Sequence, residues 1–486
     1  MSRPLLVRRA ADRSGWPAAG DNIPALGLSL LIPATLYYAF LITMVGSTGL
    51  FASVPYGLTF NSMLSHLLEG RFDVDPSAIG PEGYARDGAV YAYFGIFPAL
   101  FRALFLPLPN FATTDFTRLS CLVAVSLMAL FKVLSALVVW RKAGAPRHSA
   151  LLVLLLAAIL AGGAQIQFLR PTIFQEVMLW ADALAAAFVY LVLYGWAGED
   201  GFTTRVMAAL AGLAGLCLLT RVSTALGLYL ALGLVFLWRG WQEIGSAADR
   251  SLWRRLSVFS LPMLILVGFA AVTAIVNYER WGNPLVFVDF DRSLMTVIYP
   301  GHFKQLHQYG EFNFARLGYG LIYYFLPLWV LHDQSGQLLW SGFVDRQIAT
   351  VELPPSSFLL SDPLIVGLAL YGTLELARNR IPRRAPIALA ACGLAVPAGL
   401  MLIAIVMAFR YRMEFYPLFE LCAFIGFWRF LAVPPRPARI TFVAAALFSI
   451  VVAQALWLIY MLSPFGAAGV RLGESGILQF YLSVFH

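Results

Sequence analysis

The chain is 486 residues long, with 60% hydrophobic and 12% charged residues, where a soluble domain carries about a quarter charged. A soluble core is excluded, and because hydrocarbon holds no water to pair with backbone amides, apolar runs of about twenty residues read as helices. The formal net charge of +8 comes from arginines that punctuate the ends of those runs rather than clustering on one polar module, which excludes nucleic acid as a partner.

Residues 1–24 carry Arg3, Arg8, Arg9 and Arg13 ahead of an apolar run at 25–47 that is too long for a signal peptide, so it reads as an uncleaved first span. Further apolar runs lie near 118–140, 149–168, 174–196, 206–220, 222–239, 256–276, 362–377, 386–408, 413–432 and 439–462. The fold class is an all-α polytopic membrane protein of about eleven transmembrane helices in one transmembrane domain, 25–462. Arg141, Lys142 and Arg147, then Arg239, Arg250, Arg254 and Arg255, then Arg378, Arg380, Arg383 and Arg384 fall on the side of the basic N-terminus, which makes that side cytoplasmic. Two long loops, 48–117 and 277–361, and the tail 463–486 then lie outside. Both loops are rich in Tyr, Phe and Trp, so they are expected to be ordered and to contain interfacial helices. The four cysteines all sit in apolar runs, so neither a disulfide nor a zinc site is expected.

In the first loop, Phe60, Met63, Leu64, Leu67 and Leu68 recur at helical spacing opposite Asn61, Ser65 and Glu69, which predicts an interfacial helix ending at Gly70. A second helix is predicted over Ile96 to Leu106, bracketed by Pro98 and Pro107. Between them a polar segment brings Asp73, Asp75, Glu82 and Asp87 together with Arg71 and Arg86. A carboxylate there has the chemistry to deprotonate an acceptor hydroxyl, and an arginine to hold a phosphate. Asp73 and Asp75 alternate on one face of extended chain, a spacing that also suits a divalent cation.

Charges inside apolar context carry more weight, because an uncompensated charge near the bilayer centre costs about 2.5 kcal/mol or more. Arg170, Arg221, Arg410 and Arg412 map to the outer ends of spans, on the face that bears the acidic segment, and suggest an anion site such as a lipid phosphate. Glu176 and Asp182 lie in the fourth span on different faces; Glu176 is expected to pair with Arg170, and Arg410 with Glu414 at i,i+4, leaving Arg412 for a ligand. His66, His302 and His307 lack zinc spacing, and no Walker loop, GxSxG elbow or GxGxxG after a strand occurs.

Four stretches resemble the GT-C superfamily of membrane glycosyltransferases, particularly bacterial protein O-mannosyltransferases and the lipid A aminoarabinose transferase. RDGAVYAYFGIFPAL at 86–100 is similar to the family's loop-one pattern, CLLTRVSTALGLYL at 217–230 to its "fltRpt" span, NYERWGNPLVF at 277–287 to its "NyxRFGxP" loop start, and FRYRMEFYPLFEL at 409–421 to its "RYxxxxxP" span. The resemblance implies transfer of a sugar from a polyprenyl-phosphate carrier to a glycan, lipid or protein acceptor on the extracytoplasmic side of a bacterial cytoplasmic membrane, with a first-loop acid as base. Relatives carry that acid soon after the first span, where this chain reads VPYGLTFNSMLSH, so the role passes to a later residue. Asp73 and Asp87 rank ahead of Asp75 and Glu82. Arg86, Tyr91, Tyr93, Arg170, Glu176, Arg221, Arg280, Arg410 and Arg412 form the substrate-binding set, and no protein metal site is assigned. Two other classes remain: an O-antigen polymerase or ligase with a pyrophosphate-linked donor, and a lipid-linked sugar transporter or flippase, which internal repeats would favour and none are seen.

Overall fold

The computed structural model describes residues 23–144, 149–199, 201–245, 257–298, 304–327, 331, 339–351, 356–432 and 436–462. The basic N-terminus, Arg147, Arg250, Arg254, Arg255, His302 and the tail from 463 lie outside the described residues. Among the described residues, eight helices are long and apolar enough to cross a bilayer: Ala25–Ile42, Thr117–Ala143, Ser149–Ile166, Ile173–Ala197, Val222–Gln242, Ser260–Trp281, Arg384–Leu402 and Arg436–Ile459. The expected count of about eleven differs in three runs. Two form the shorter apolar helices Thr204–Leu218 and Pro363–Ala377. The third divides into a 3-10 segment, Phe409–Glu414, and the helix Tyr416–Ala432, which carries Glu420 and Arg429.

Local chemistry sets the helix ends. Thr172 caps Ile173–Ala197 by accepting from the Gln175 amide, and Thr117–Ala143 stops at Gly144 in left-handed conformation, after Arg141 and Lys142 in its last turn. Helices meet at close range where small residues allow it. A Cβ on Gly372 would stand 2.0 Å from the Cys422 carbonyl oxygen, and one on Gly426 would stand 2.1 Å from that of Leu368, which lets Pro363–Ala377 lie against Tyr416–Ala432 backbone to backbone.

Several charges inside the bundle are paired. Lys132 Nζ lies 2.7 Å from Glu420 and 3.6 Å from Asp182, all three buried, so Asp182 belongs to an interhelical cluster. Arg102 and Glu176 form a wholly buried two-pronged pair at 2.5 and 2.9 Å, tying the juxtamembrane helix Phe97–Arg102 to the top of Ile173–Ala197. This corrects the expected pairing of Glu176 with Arg170: the loop folds back and delivers Arg102 to the same carboxylate.

The first-loop helix forms over Thr59–Leu68 and ends at Gly70, whose φ of +75° suits glycine. It is packed within the loop on most of its faces. Phe60, Asn61, Met63, Leu64 and His66 are all buried, and Asn61 donates to the carbonyls of Phe111 and Thr114 at 2.7 and 2.9 Å. The remainder of the loop wraps the helix, which its amphipathic pattern alone did not anticipate. The polar segment then forms a two-stranded hairpin, Tyr84–Arg86 with Ala89–Tyr91, turned by Asp87 and Gly88 at φ +51° and +81°. Two central residues at positive φ define the hairpin turn whose twist matches that of paired strands, and Asp-Gly is a favoured pair for it. The second long loop folds into short helices and a two-residue strand, Thr350–Val351, parallel to Val406–Met407. It joins the first through a bridge between Tyr84 and Ser293 and a 3.0 Å bond from the Leu294 amide to the Gly83 carbonyl.

Candidate active-site cavity

Where the two loops meet, above the ends of the helices, a cavity of about 620 Å³ opens. The first loop contributes Glu82, Tyr84 and the stretch Tyr93–Ile96; the turn Thr220–Arg221 with Ser223 forms a second wall; Asn277 and Arg280 come from the end of Ser260–Trp281; Glu311 comes from the second loop, and Arg410 with Tyr411 from the 3-10 segment. Gly95 explains how the first loop reaches in. A Cβ there would stand 2.2 Å from the Leu219 carbonyl oxygen, the same oxygen that accepts the Phe97 amide at 2.8 Å, so the chain at Gly95 presses flat against the turn.

Three arginines line this space in different electrostatic states. Arg221 pairs with buried Glu414, which also accepts from Ser223 and Thr224 at 2.5 and 2.7 Å. The i,i+4 pairing of Arg410 with Glu414 presumed an α-helix; the segment winds as a 3-10 helix, and Glu414 accepts from Arg221 across the chain. The guanidiniums of Arg221 and Arg410 stack on the Tyr411 ring at 5.1 and 5.2 Å, and Arg410 also covers Phe174 at 4.7 Å. Arg280 is buried, donates to the Phe94 carbonyl at 2.8 Å and approaches Met63 Sδ at 3.6 Å, has an unpartnered Nε, and pairs with no carboxylate among the described residues.

The remaining expected site residues divide clearly. Tyr93 lines the cavity, and burial raises its phenol above the ordinary value, as it does for Tyr84, so both stay neutral donors. Tyr91 packs on Trp281 with centroids 6.1 Å apart and is not part of the lining. Arg86 docks the hairpin on the Glu279 carbonyl and pairs with Asp87 at 3.0 Å. Arg170 is buried in the turn before Thr172, away from the cavity. Arg412 is spent: it donates to Asp362 at 2.9 Å, Ser356 at 2.7 Å, Ser361 at 2.8 Å and Gln167 at 3.0 Å. The reading of Arg412 as the arginine left over for a ligand is corrected, because Asp362 from a distant part of the chain neutralises it.

Neither of the acids ranked first for base, Asp73 and Asp87, lines the cavity, and Asp75 does not line it either. Asp73 lies 3.1 Å from His66 Nδ1, Asp75 accepts from Ser62 at 2.7 Å, and Asp87 is the hairpin turn with a side chain 78% exposed. Glu82, from the same segment, does line it. Glu311, which the sequence did not single out, joins it there; the residue is exposed by surface area, and partial desolvation within the cavity raises its carboxyl above the ordinary range. Among the described residues no group of three His, Cys, Asp or Glu side chains is arranged to hold a metal ion.

No family model and no curated protein matches the chain. Solved structures do, at low identity. The chain is similar to the oligosaccharyltransferase AglB from Archaeoglobus fulgidus, solved with an inhibitory peptide and a dolichol-phosphate, at 16% identity and a TM-score of 0.47, over 91% of this chain and 58% of that one. It is also similar to ArnT from Cupriavidus metallidurans, solved with undecaprenyl phosphate, at 14% identity and a TM-score of 0.42, over 94% of this chain and 77% of that one. The chain therefore spans little more than half the length of the oligosaccharyltransferase.

Proposed function

We propose that this chain is a glycosyltransferase that moves a sugar from a polyprenyl-phosphate carrier to an acceptor hydroxyl, with Glu82 as base. The acceptor oxygen attacks the anomeric carbon, its proton passes to Glu82, and the bond from that carbon to the phosphate oxygen breaks, leaving polyprenyl phosphate with the electron pair. Arg280, aided by Arg410 and Arg221, holds the carrier phosphate and stabilises the charge that grows on it as it leaves.

Arg280 is the observation that carries this reading. A buried cation that lines a cavity, has no carboxylate partner among the described residues and donates to a single backbone carbonyl is costly in the empty protein, and an anion entering that cavity would offset the cost. A carboxylate in the same cavity supplies the second requirement, a proton acceptor beside the phosphate. In this reading the protein sits in a bacterial cytoplasmic membrane with its N-terminus inside and the cavity on the outer side, as the distribution of arginines implies.

The test is a purified, lipid-reconstituted protein offered labelled polyprenyl-phosphate sugars with a membrane extract as acceptor source. Release of polyprenyl phosphate that depends on acceptor is the expected result. Turnover of only pyrophosphate-linked oligosaccharide would point to a polymerase or ligase and overturn the proposal.

A further inference from the structure

We propose that Glu311 is the group in the cavity that recognises sugar hydroxyls, an assignment that rests on the glycosyltransferase reading above. Its backbone is unusually well fixed for a long loop. The Ile405 amide donates to the Glu311 carbonyl at 2.8 Å, and the Asn313 amide to that of Ile403 at 2.9 Å. Arg316, wholly buried, completes the bracket: its Nη1 donates to the carbonyls of Glu311 and Ile403 at 3.0 and 3.3 Å, its Nη2 to that of Gly310 at 3.0 Å, and its Nε to that of Gln347 at 2.8 Å. Every acceptor is a backbone carbonyl, so this guanidinium holds the peptide that carries Glu311 rather than neutralising a charge.

The Glu311 carboxylate itself has no hydrogen bond or ion pair among the described residues, although it lines a cavity with three arginines. An exposed carboxylate on a fixed backbone, its oxygens left open, accepts up to about four hydrogen bonds, the pattern two neighbouring hydroxyls satisfy. Fixing the backbone in advance removes the ordering cost that binding would otherwise meet. Hydroxyls reach such a position from either of two sources, the donor's sugar or an acceptor glycan, and the shared chemistry is the same.

The experiment compares the wild type with Glu311→Gln and Glu311→Ala in lipid nanodiscs. Binding is measured for polyprenyl phosphate without sugar and for polyprenyl-phosphate glucose, mannose, galactose and arabinose, and transfer is measured against acceptor concentration. Unsugared polyprenyl phosphate is expected to bind all three proteins equally. Loss of a charge-assisted acceptor should weaken the sugar-bearing partner by about 10- to 100-fold. A donor-sugar source appears as a raised donor Kd, and an acceptor source as an unchanged donor Kd with a raised acceptor KM. Equal constants in wild type and both variants overturn the inference while leaving the glycosyltransferase reading intact. A wild type that binds no polyprenyl phosphate and consumes no donor removes that reading, and the role of Glu311 with it.

Discussion

Replacing Arg280 by methionine should move binding and stability in opposite directions. The guanidinium is buried, its one strong contact is the 2.8 Å bond to the Phe94 carbonyl, and no carboxylate offsets its charge among the described residues. Methionine keeps the aliphatic stem and removes that bond, costing about 1 kcal/mol. Against this, removing an uncompensated buried charge relieves a penalty of several kcal/mol in the empty protein. Net stability should be unchanged or higher. The phosphate, however, loses a charge-assisted partner worth about 1.5–3 kcal/mol, which corresponds to a roughly 10- to 150-fold weaker Kd. Thermal unfolding in detergent and titration of polyprenyl phosphate into nanodiscs measure the two effects separately. A Tm lowered by several degrees with an unchanged Kd would refute the reasoning and make Arg280 a structural prop for the Tyr93–Ile96 stretch.

Glu82→Gln should lower kcat by about 10²–10⁴-fold with little change in binding of polyprenyl phosphate, whereas Asp73→Asn and Asp87→Asn keep most of their turnover; the reverse pattern in steady-state transfer assays returns the base to the outer acids. Asparagine is tolerated at the positive φ of Asp87, so that variant should also keep its Tm. Lys132→Met leaves Asp182 and Glu420 buried without their cation and should cost about 3–5 kcal/mol, partly regained in the Lys132→Met/Glu420→Gln double variant; an unchanged Tm in the single variant contradicts the pairing. For Glu311, partial desolvation raises the folded-state pKa above its ordinary 4.5, so between that value and the raised one the folded protein binds more protons than the unfolded chain. Wild-type stability then falls as pH rises through that window, and Glu311→Gln, which carries no charge, is the more stable protein at neutral pH; the advantage disappears below about 4.5, as Tm measured against pH will show.

The parts of this molecule legible in the sequence are those whose cause is local. A run of twenty apolar residues becomes a helix whatever surrounds it, and the glycines at 70 and 144 stop helices by their own conformation. Asp87-Gly88 is local too, an Asp-Gly pair that its strand-forming neighbours make a hairpin turn rather than a chemical group. Charge partnerships were not local. Glu176 had Arg170 six residues away, but its carboxylate is met by Arg102, 74 residues distant, and Arg412 is neutralised by Asp362, 50 residues distant. In a bundle where desolvation is severe, a charge takes whichever partner the packing delivers, and spacing along one helix has little say. The same physics explains why Arg280 was picked out only through a motif while its unpaired state was invisible, and why Glu311 went unnoticed in a loop that has no periodicity. Among the described residues buried Arg316 and Arg118 also lack a carboxylate partner, but each gives its guanidinium to two or more backbone carbonyls, whereas Arg280 lines the cavity and donates to one. A cation retained at a cost to the empty fold, facing a cavity that also presents carboxylates from both loops, is a feature that stability alone does not explain.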